Sequence, residues 1–260
     1  MLKLLKGIFY FCAVSFFSTP SGAGAAAPKP TVVLVHGAFA ESASWNGVVD
    51  ELAGSGYRVI AAANPLRGVA SDAASVSALL KSIDGPVVLV GHSYGGAVIS
   101  AAANGASNVK ALVFVAAFAP DTGESCLGLT GKFPGSTLPP TLAPPVKLAD
   151  GGEDLFIQQD KFPQQFAADV PPAQARTMAA TQRAIKSSAL AELAGAPAWK
   201  SLPSWSIYGS DDLNIPAAAM AWMADRAHAR KTVVVPGASH VVMVSHPREV
   251  AALIQQAASN

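Results

Sequence analysis

Apolar residues follow two rhythms along this chain. Short unbroken runs, rich in valine, alternate with stretches in which apolar positions recur every three or four residues. Thr31 to Val35 is a run of the first kind, bounded by Pro30 and Gly37, and predicts a strand buried on both faces. Ala43 to Gly54 is of the second kind, with Trp45, Val48, Val49 and Leu52 on one helical face and Gly54 and Gly56 as a stop. The alternation continues with a strand at Tyr57–Ala61, a helix at Ser71–Ile83, a strand at Pro86–Val90, a helix at Tyr94–Asn104 and a strand at Val109–Ala116. Ser71 is the expected N-cap of the second helix, with Asp72 in its first turn. The pattern resumes late, with strands at Ser204–Tyr208 and Lys231–Val235 and helices at Pro216–Ala227 and Pro247–Ala258. Strands separated by helices build a parallel sheet, so the fold class is α/β, with about six strands and helices on both faces.

The rhythm breaks between Pro120 and Pro203. The first part is rich in Pro and Gly, as in Phe133-Pro134-Gly135, Pro139-Pro140 and Pro144-Pro145; the second reads as helical from Pro171 to Ser188. So long a stretch is not an ordinary loop. It predicts an inserted, largely helical cap over 120–203, dividing a core of 28–119 and 204–260.

The first 27 residues read differently again. Lys3 and Lys6 precede an apolar run from Gly7 to Phe17, followed by small residues at Ser21-Gly22-Ala23 and Ala25-Ala26-Ala27. This is the pattern of a cleaved signal peptide, with an apolar run too short to span a bilayer. The expectation is a secreted or periplasmic protein without stable membrane insertion after cleavage. Cys12 leaves with that segment and Cys126 then has no partner, which predicts a buried, unreactive thiol and no disulfide.

Composition narrows the function. Of 260 residues 51% are hydrophobic and 13% charged, so the chain is globular. A net charge of +1, with no run of Lys or Arg, offers nothing to nucleic acid or an anionic membrane.

Gly91-His92-Ser93-Tyr94-Gly95-Gly96 lies between a predicted strand and a predicted helix. Such a reversal leaves no room for neighbouring side chains, so glycines flank it, and it presents the Ser93 hydroxyl at a helix N-terminus. A serine nucleophile needs a base. Among five histidines, His92 lies inside the turn, His36 in the exit of the first strand and His228 after a surface helix. His240 follows the Lys231–Val235 strand by a short turn and is placed on the same sheet edge as Ser93, with His246 as the alternative. The carboxylate that orients the base comes from Asp212, or from its neighbour Asp211, beyond the Ser204–Tyr208 strand. The order Ser93, Asp212, His240 is the one this fold requires. Backbone N–H groups of Tyr94 and of Ala38, in His36-Gly37-Ala38-Phe39, are the expected oxyanion donors. Phe39 is a candidate for the substrate pocket, and Val241 and Met243, next to His240, are further candidates. Trp45, Trp199, Trp205 and Trp222 are assigned to packing. The chemistry needs no metal and no organic cofactor.

With these residues in place, the chain resembles the α/β-hydrolase superfamily over Thr31–Ala119 and Ser204–Ile254. The stretches at 35–45, 91–96 and 237–240 are similar to the branch of small bacterial esterases, plant methylesterases and hydroxynitrile lyases. The resemblance implies an α/β-hydrolase fold and hydrolysis of a carboxylic ester of a small molecule through an acyl-enzyme. Lactones, thioesters and amides are chemically adjacent; lyase or perhydrolase chemistry and a non-catalytic sensor are the other readings. Relatives with lyase activity tend to carry Thr where this chain has Gly37, and epoxide hydrolases and dehalogenases carry Asp where it has Ser93. The 120–203 stretch carries no matching motif.

Overall fold

The computed structural model describes residues 28–260; the expected signal segment over 1–27 lies outside them. The chain runs β1 (Thr31–Val35), α1 (Asn46–Gly54), β2 (Val59–Ala62), α2 (Val69–Lys81), β3 (Val87–His92), α3 (Gly95–Ala102) and β4 (Val109–Val115). The intervening segment holds α4 (Cys126–Lys132), β5 (Val146–Lys147), β6 (Glu153–Leu155), α5 (Phe162–Phe166), α6 (Pro172–Thr181), β7 (Ile185–Lys186) and α7 (Ser187–Ala191). Then follow β8 (Ser204–Gly209), α8 (Ala217–Arg226), β9 (Lys231–Val235), α9 (Val242–Ser245) and α10 (Pro247–Ala258).

The six long strands pair in the order β2-β1-β3-β4-β8-β9, and every pairing is parallel. The central strands are covered on both faces: β1, β3 and nearly all of β4 are buried, as their continuous apolar runs require. α1 and α10 pack on one face and α2 and α3 on the other. α8 joins the α3 face through Phe114, which approaches Gly96 and shares a small cavity with Met220 and Met223. β9 is an edge strand, and Lys231 and exposed Thr232 blunt it.

The strand order reverses between β1 and β3. At such a switch point the loops leave in opposite directions and open a crevice at the carboxyl ends of the strands. Val35 pairs with Gly91 in this register. Gly37 therefore lies beside Ser93, two residues beyond the paired positions on both strands.

Two expectations change. α2 begins at Val69 rather than Ser71, and its N-cap is Gly68. The Glu192 carboxylate, from far along the chain, accepts the N–H groups of Val69 at 2.8 Å and Ala70 at 2.9 Å. A tertiary partner thus does the work expected of a local serine. The single helix expected over 171–188 ends at Thr181, and Ile185–Lys186 enters a small antiparallel sheet of order β5-β6-β7. Helices remain the main regular structure of the segment, and the small sheet adds to them.

Candidate active site

Ser93 lies at the tight turn from β3 into α3, with a backbone φ of +53°. A non-glycine residue in this left-handed region is strained and persists only where the surroundings enforce it. They do so by crowding. A Cβ on Gly95 would come 2.6 Å from the Val35 carbonyl, and one on Gly96 would overlap the Phe118 carbonyl. The N–H of Ser93 meets the carbonyls of Val115 and Ala116, at 3.2 and 3.1 Å, which ties the turn to the end of β4.

The structure brings Ser93, His240 and Asp212 into one hydrogen-bonded line. The Ser93 hydroxyl donates to His240 Nε2 at 2.9 Å, and His240 Nδ1–H donates to Asp212 Oδ2 at 2.6 Å. All three residues are buried. The other oxygen of Asp212, Oδ1, accepts the N–H groups of Asn214 at 2.8 Å and Ile215 at 2.9 Å. One carboxylate therefore both shapes its own turn and holds the imidazole. Asp211 is exposed, and its carboxylate accepts from the Ser210 hydroxyl. His246 is half-buried beside Asp169 at 3.6 Å, away from Ser93's hydrogen-bond line.

Ala38 and Tyr94 are buried. Among the described residues, neither backbone N–H has an acceptor in the protein. Buried amides without partners are uncommon, and two of them flank the serine. The Phe39 N–H, by contrast, is spent on the Arg183 carbonyl at 3.1 Å.

Two buried histidines brace this loop. His36 Nδ1–H donates to the Gly37 carbonyl at 2.9 Å, and its Nε2 accepts the Asn64 N–H at 3.0 Å. Burial pulls its pKa down to about 4, so the ring is neutral. His92 accepts the Gly37 N–H at Nδ1 and donates from Nε2 to the His240 carbonyl at 3.1 Å. Burial and the neighbouring His240 push its pKa well below the ordinary range. His92 thus links the Gly37 loop to the backbone of His240. Its place in the turn was readable, but nothing in sequence spacing pointed to this link. Tyr94 also has a partner that no local pattern indicates. Its hydroxyl donates to Asp72 Oδ2 at 2.9 Å, and Asp72, in the first turn of α2 as expected, is fully buried. Burial and Asp72 raise the Tyr94 phenol above its usual range, so it stays a donor.

Ser93 opens into a cavity of about 270 Å³. The core contributes Ala38, Phe39 and His240, and the intervening segment Cys126, Leu138, Leu142, Leu155, Phe166 and Leu190. The lining is mainly apolar. Cys126 is buried, which pushes its thiol up and keeps it in the unreactive form. Val241 and Met243 are fully buried and do not line the cavity, nor does any of the four tryptophans.

A serine on a left-handed strand–helix turn, at the carboxyl edge of a parallel sheet and hydrogen-bonded to a histidine, defines the α/β-hydrolase class. The chain belongs to the α/β hydrolase family, whose model matches residues 32–253. It is 26% identical over 249 residues to the α/β hydrolase nvfD of Aspergillus novofumigatus, covering 88% of this chain and 97% of that protein. It is 30% identical over 124 residues to a carbendazim hydrolyzing esterase of a Nocardioides species, covering 43% of this chain and 50% of the other. The crystal structure of a polyneuridine aldehyde esterase superposes with a TM-score of 0.76 at 20% identity, over 88% of this chain and 98% of that one.

Proposed function

We propose that this hydrolase is a serine esterase acting on small-molecule carboxylic esters, with Ser93 as nucleophile, His240 as base and Asp212 as its orienting carboxylate. The observation that carries the reading is the line of hydrogen bonds from Ser93 Oγ through His240 to Asp212, set in a largely apolar cavity. The esterase names of the Nocardioides relative and of the superposed structure support it.

Ser93 Oγ bonds to the ester carbonyl carbon as its proton passes to His240 Nε2. The carbonyl π pair moves onto oxygen, where the N–H groups of Ala38 and Tyr94 receive the charge. Asp212 stabilises the imidazolium that forms. When the intermediate collapses, the C–O bond to the alcohol breaks and the departing oxygen takes the proton from Nε2. Water then attacks the acyl-enzyme, giving its proton to Nε2, and release of the acid returns a proton to Ser93 Oγ. A mostly apolar surround strengthens each of these charge interactions.

Gly37 bears on the lyase alternative. A Cβ there would sit 2.5 Å from the Ser93 Cβ, so this backbone has no room for the threonine of lyase-type relatives. The segment between β4 and β8 acts as a cap that selects the substrate, because most of the cavity lining comes from it. Its expected boundaries, 120 and 203, belong to the same proposal. Export to the periplasm or medium is also proposed, on the basic and apolar pattern of the first 27 residues; N-terminal sequencing of the protein from culture medium or periplasm should begin within or just after the alanine-rich stretch.

The deciding experiment is hydrolysis of short-chain nitrophenyl esters beside a Ser93→Ala control, with a fluorophosphonate label read by intact mass. A single adduct on Ser93 is expected. Folded protein that takes no label and turns over no ester in a broad panel would instead mark a sensor.

A further inference from the structure

The turn that leads from β9 to His240 is held residue by residue. The end of β8 grips its first part. The Asp211 N–H donates to the Ala238 carbonyl at 3.1 Å, the Gly237 N–H donates to the Ser210 hydroxyl at 2.8 Å, and a Cβ on Gly209 would overlap the Ala238 carbonyl. His240 is held by Asp212 at its ring and by His92 at its carbonyl. Ser239 lies between these two anchors. Among the described residues, neither its N–H nor its carbonyl has a backbone partner. Its tie is its side chain: Ser239 is buried, and its hydroxyl donates to Asp169 Oδ1, with the Phe166 carbonyl 3.4 Å away.

Both acceptors belong to the intervening segment. Phe166 ends α5, and a turn closed by the Val170 N–H on the Ala167 carbonyl, at 3.1 Å, carries Asp169 to the same spot. The Phe166 ring lines the chamber and meets the His240 imidazole at 5.0 Å between centroids. Asp169 and Ser239 do not line the chamber. The second oxygen of Asp169, Oδ2, is buried with no hydrogen-bond donor among the described residues, and His246 Nδ1 lies 3.6 Å from it. A carboxylate held in this way costs stability that a solvated one does not. The contact that sets it there is the one on Ser239, directly before the base.

We propose that Asp169 is a positioning residue for His240. By holding the Ser239 hydroxyl it fixes the backbone from which the imidazole projects, and so keeps Nε2 on the Ser93 hydroxyl and Nδ1 on Asp212. The inference rests on the serine-esterase reading above. A displacement of about 1 Å at a reacting group costs roughly 100-fold in rate. Asp212 and His92 still hold His240 when Asp169 is lost, so the expected loss is smaller, about tenfold.

The test is kinetic, with a short-chain nitrophenyl ester. Asp169→Ala and Ser239→Ala should each lower kcat about tenfold while KM stays within about twofold. Asp169→Asn keeps an acceptor for the hydroxyl and should return kcat to within about twofold of the wild type. The double variant Asp169→Ala/Ser239→Ala should be no slower than the slower single one, since both remove one contact. Limiting rates of fluorophosphonate labelling of Ser93 should fall by the same factor as kcat. If Asp169→Ala does not fold, as read by circular dichroism, Ser239→Ala and Asp169→Asn carry the test. Unchanged kcat in the alanine variants overturns the positioning role. A raised KM at constant kcat also overturns it, because the pair then only anchors the intervening segment. So does an equal loss in Asp169→Asn, which would assign the effect to charge. A wild type that labels at Ser93 but hydrolyses no ester removes the esterase reading alone, and the labelling rates of the variants then decide the positioning role. A folded wild type that takes no label removes both.

Discussion

Ser93 and its two partners make a prediction in which each residue fails differently. Ser93→Ala should remove the nucleophile and cost roughly 10⁴-fold or more in kcat, measured as single-turnover ester hydrolysis. Asp212→Asn should keep the turn, because an amide oxygen still accepts the Asn214 and Ile215 N–H groups, yet cost roughly 10⁴-fold by favouring the wrong His240 tautomer. Asp211→Asn should leave kcat unchanged, since that carboxylate faces solvent. His36 makes a different prediction, about pH. Its pKa is near 4 folded and near 6.5 when solvated. The unfolded chain therefore binds the extra proton between those values. The stabilisation is complete above about pH 6.5 and is lost as pH falls through about 4, of order 3 kcal/mol. His92 adds a loss in the same direction. Chemical denaturation from pH 7 to pH 4 should show this slope, and His36→Gln should flatten it. The residue types and the chain order of the site were legible in sequence because the chemistry demands them. The choice of Asp212 over Asp211 rested on a ranking, and burial now separates the two. The partners of His92, Asn64 and Asp72 carried no readable signal, since they lie at distances in sequence that only folding brings together.

At the level of elements, periodicity worked where one face of a segment meets the core. β1, β3, β4, β8 and β9, and α1, α3, α8 and α10, fall within a few residues of their expected bounds. It failed where a partner from elsewhere set the ends. Ser71 has the right side chain for an N-cap, but Glu192 reaches the free N–H groups first, and the helix gains a turn's start at Val69. Glu192→Ala should therefore cost about 1 kcal/mol and a few degrees in Tm by calorimetry, while Ser71→Ala should cost less. Gly37 shows how tightly adjacent elements meet. Gly37→Ala places a methyl group against the Ser93 Cβ and should abolish hydrolysis before it unfolds the protein. Circular dichroism beside the ester assay separates the two effects.

Over the whole molecule, the intervening segment shares buried apolar residues with the core, Phe162 and Phe166 among them, and polar ties add to these contacts. Arg226 of α8 makes a bidentate pair with Glu124, at 2.9 and 2.8 Å, and also donates to the Ala119 carbonyl. That guanidinium holds the Glu124 carboxyl below its ordinary range. Arg67 pairs with Asp154 at 2.6 Å, and the Ser239 hydroxyl, next to His240, reaches Asp169. Partly exposed ties of this kind contribute modestly, whereas β3 and β4 are locked by buried valines. Native-state hydrogen exchange should therefore show α4 to α7 opening at lower free energy than β3 and β4. Equal protection throughout would mean that segment and core open as one unit.

Sequence alone determined the parallel α/β sheet, because buried strands and amphipathic helices each impose a period that can be counted. It also singled out Ser93 as the candidate nucleophile and narrowed the base to His240 or His246 and the carboxylate to Asp212 or Asp211, because a sharp glycine-flanked turn and a fixed chain order leave few alternatives. Only the tertiary structure decided which amides stand free beside Ser93, which histidines are neutral braces, and which residues of the intervening segment line the chamber at Ser93. Those properties depend on burial and on contacts between residues far apart in the chain, and neither has a period.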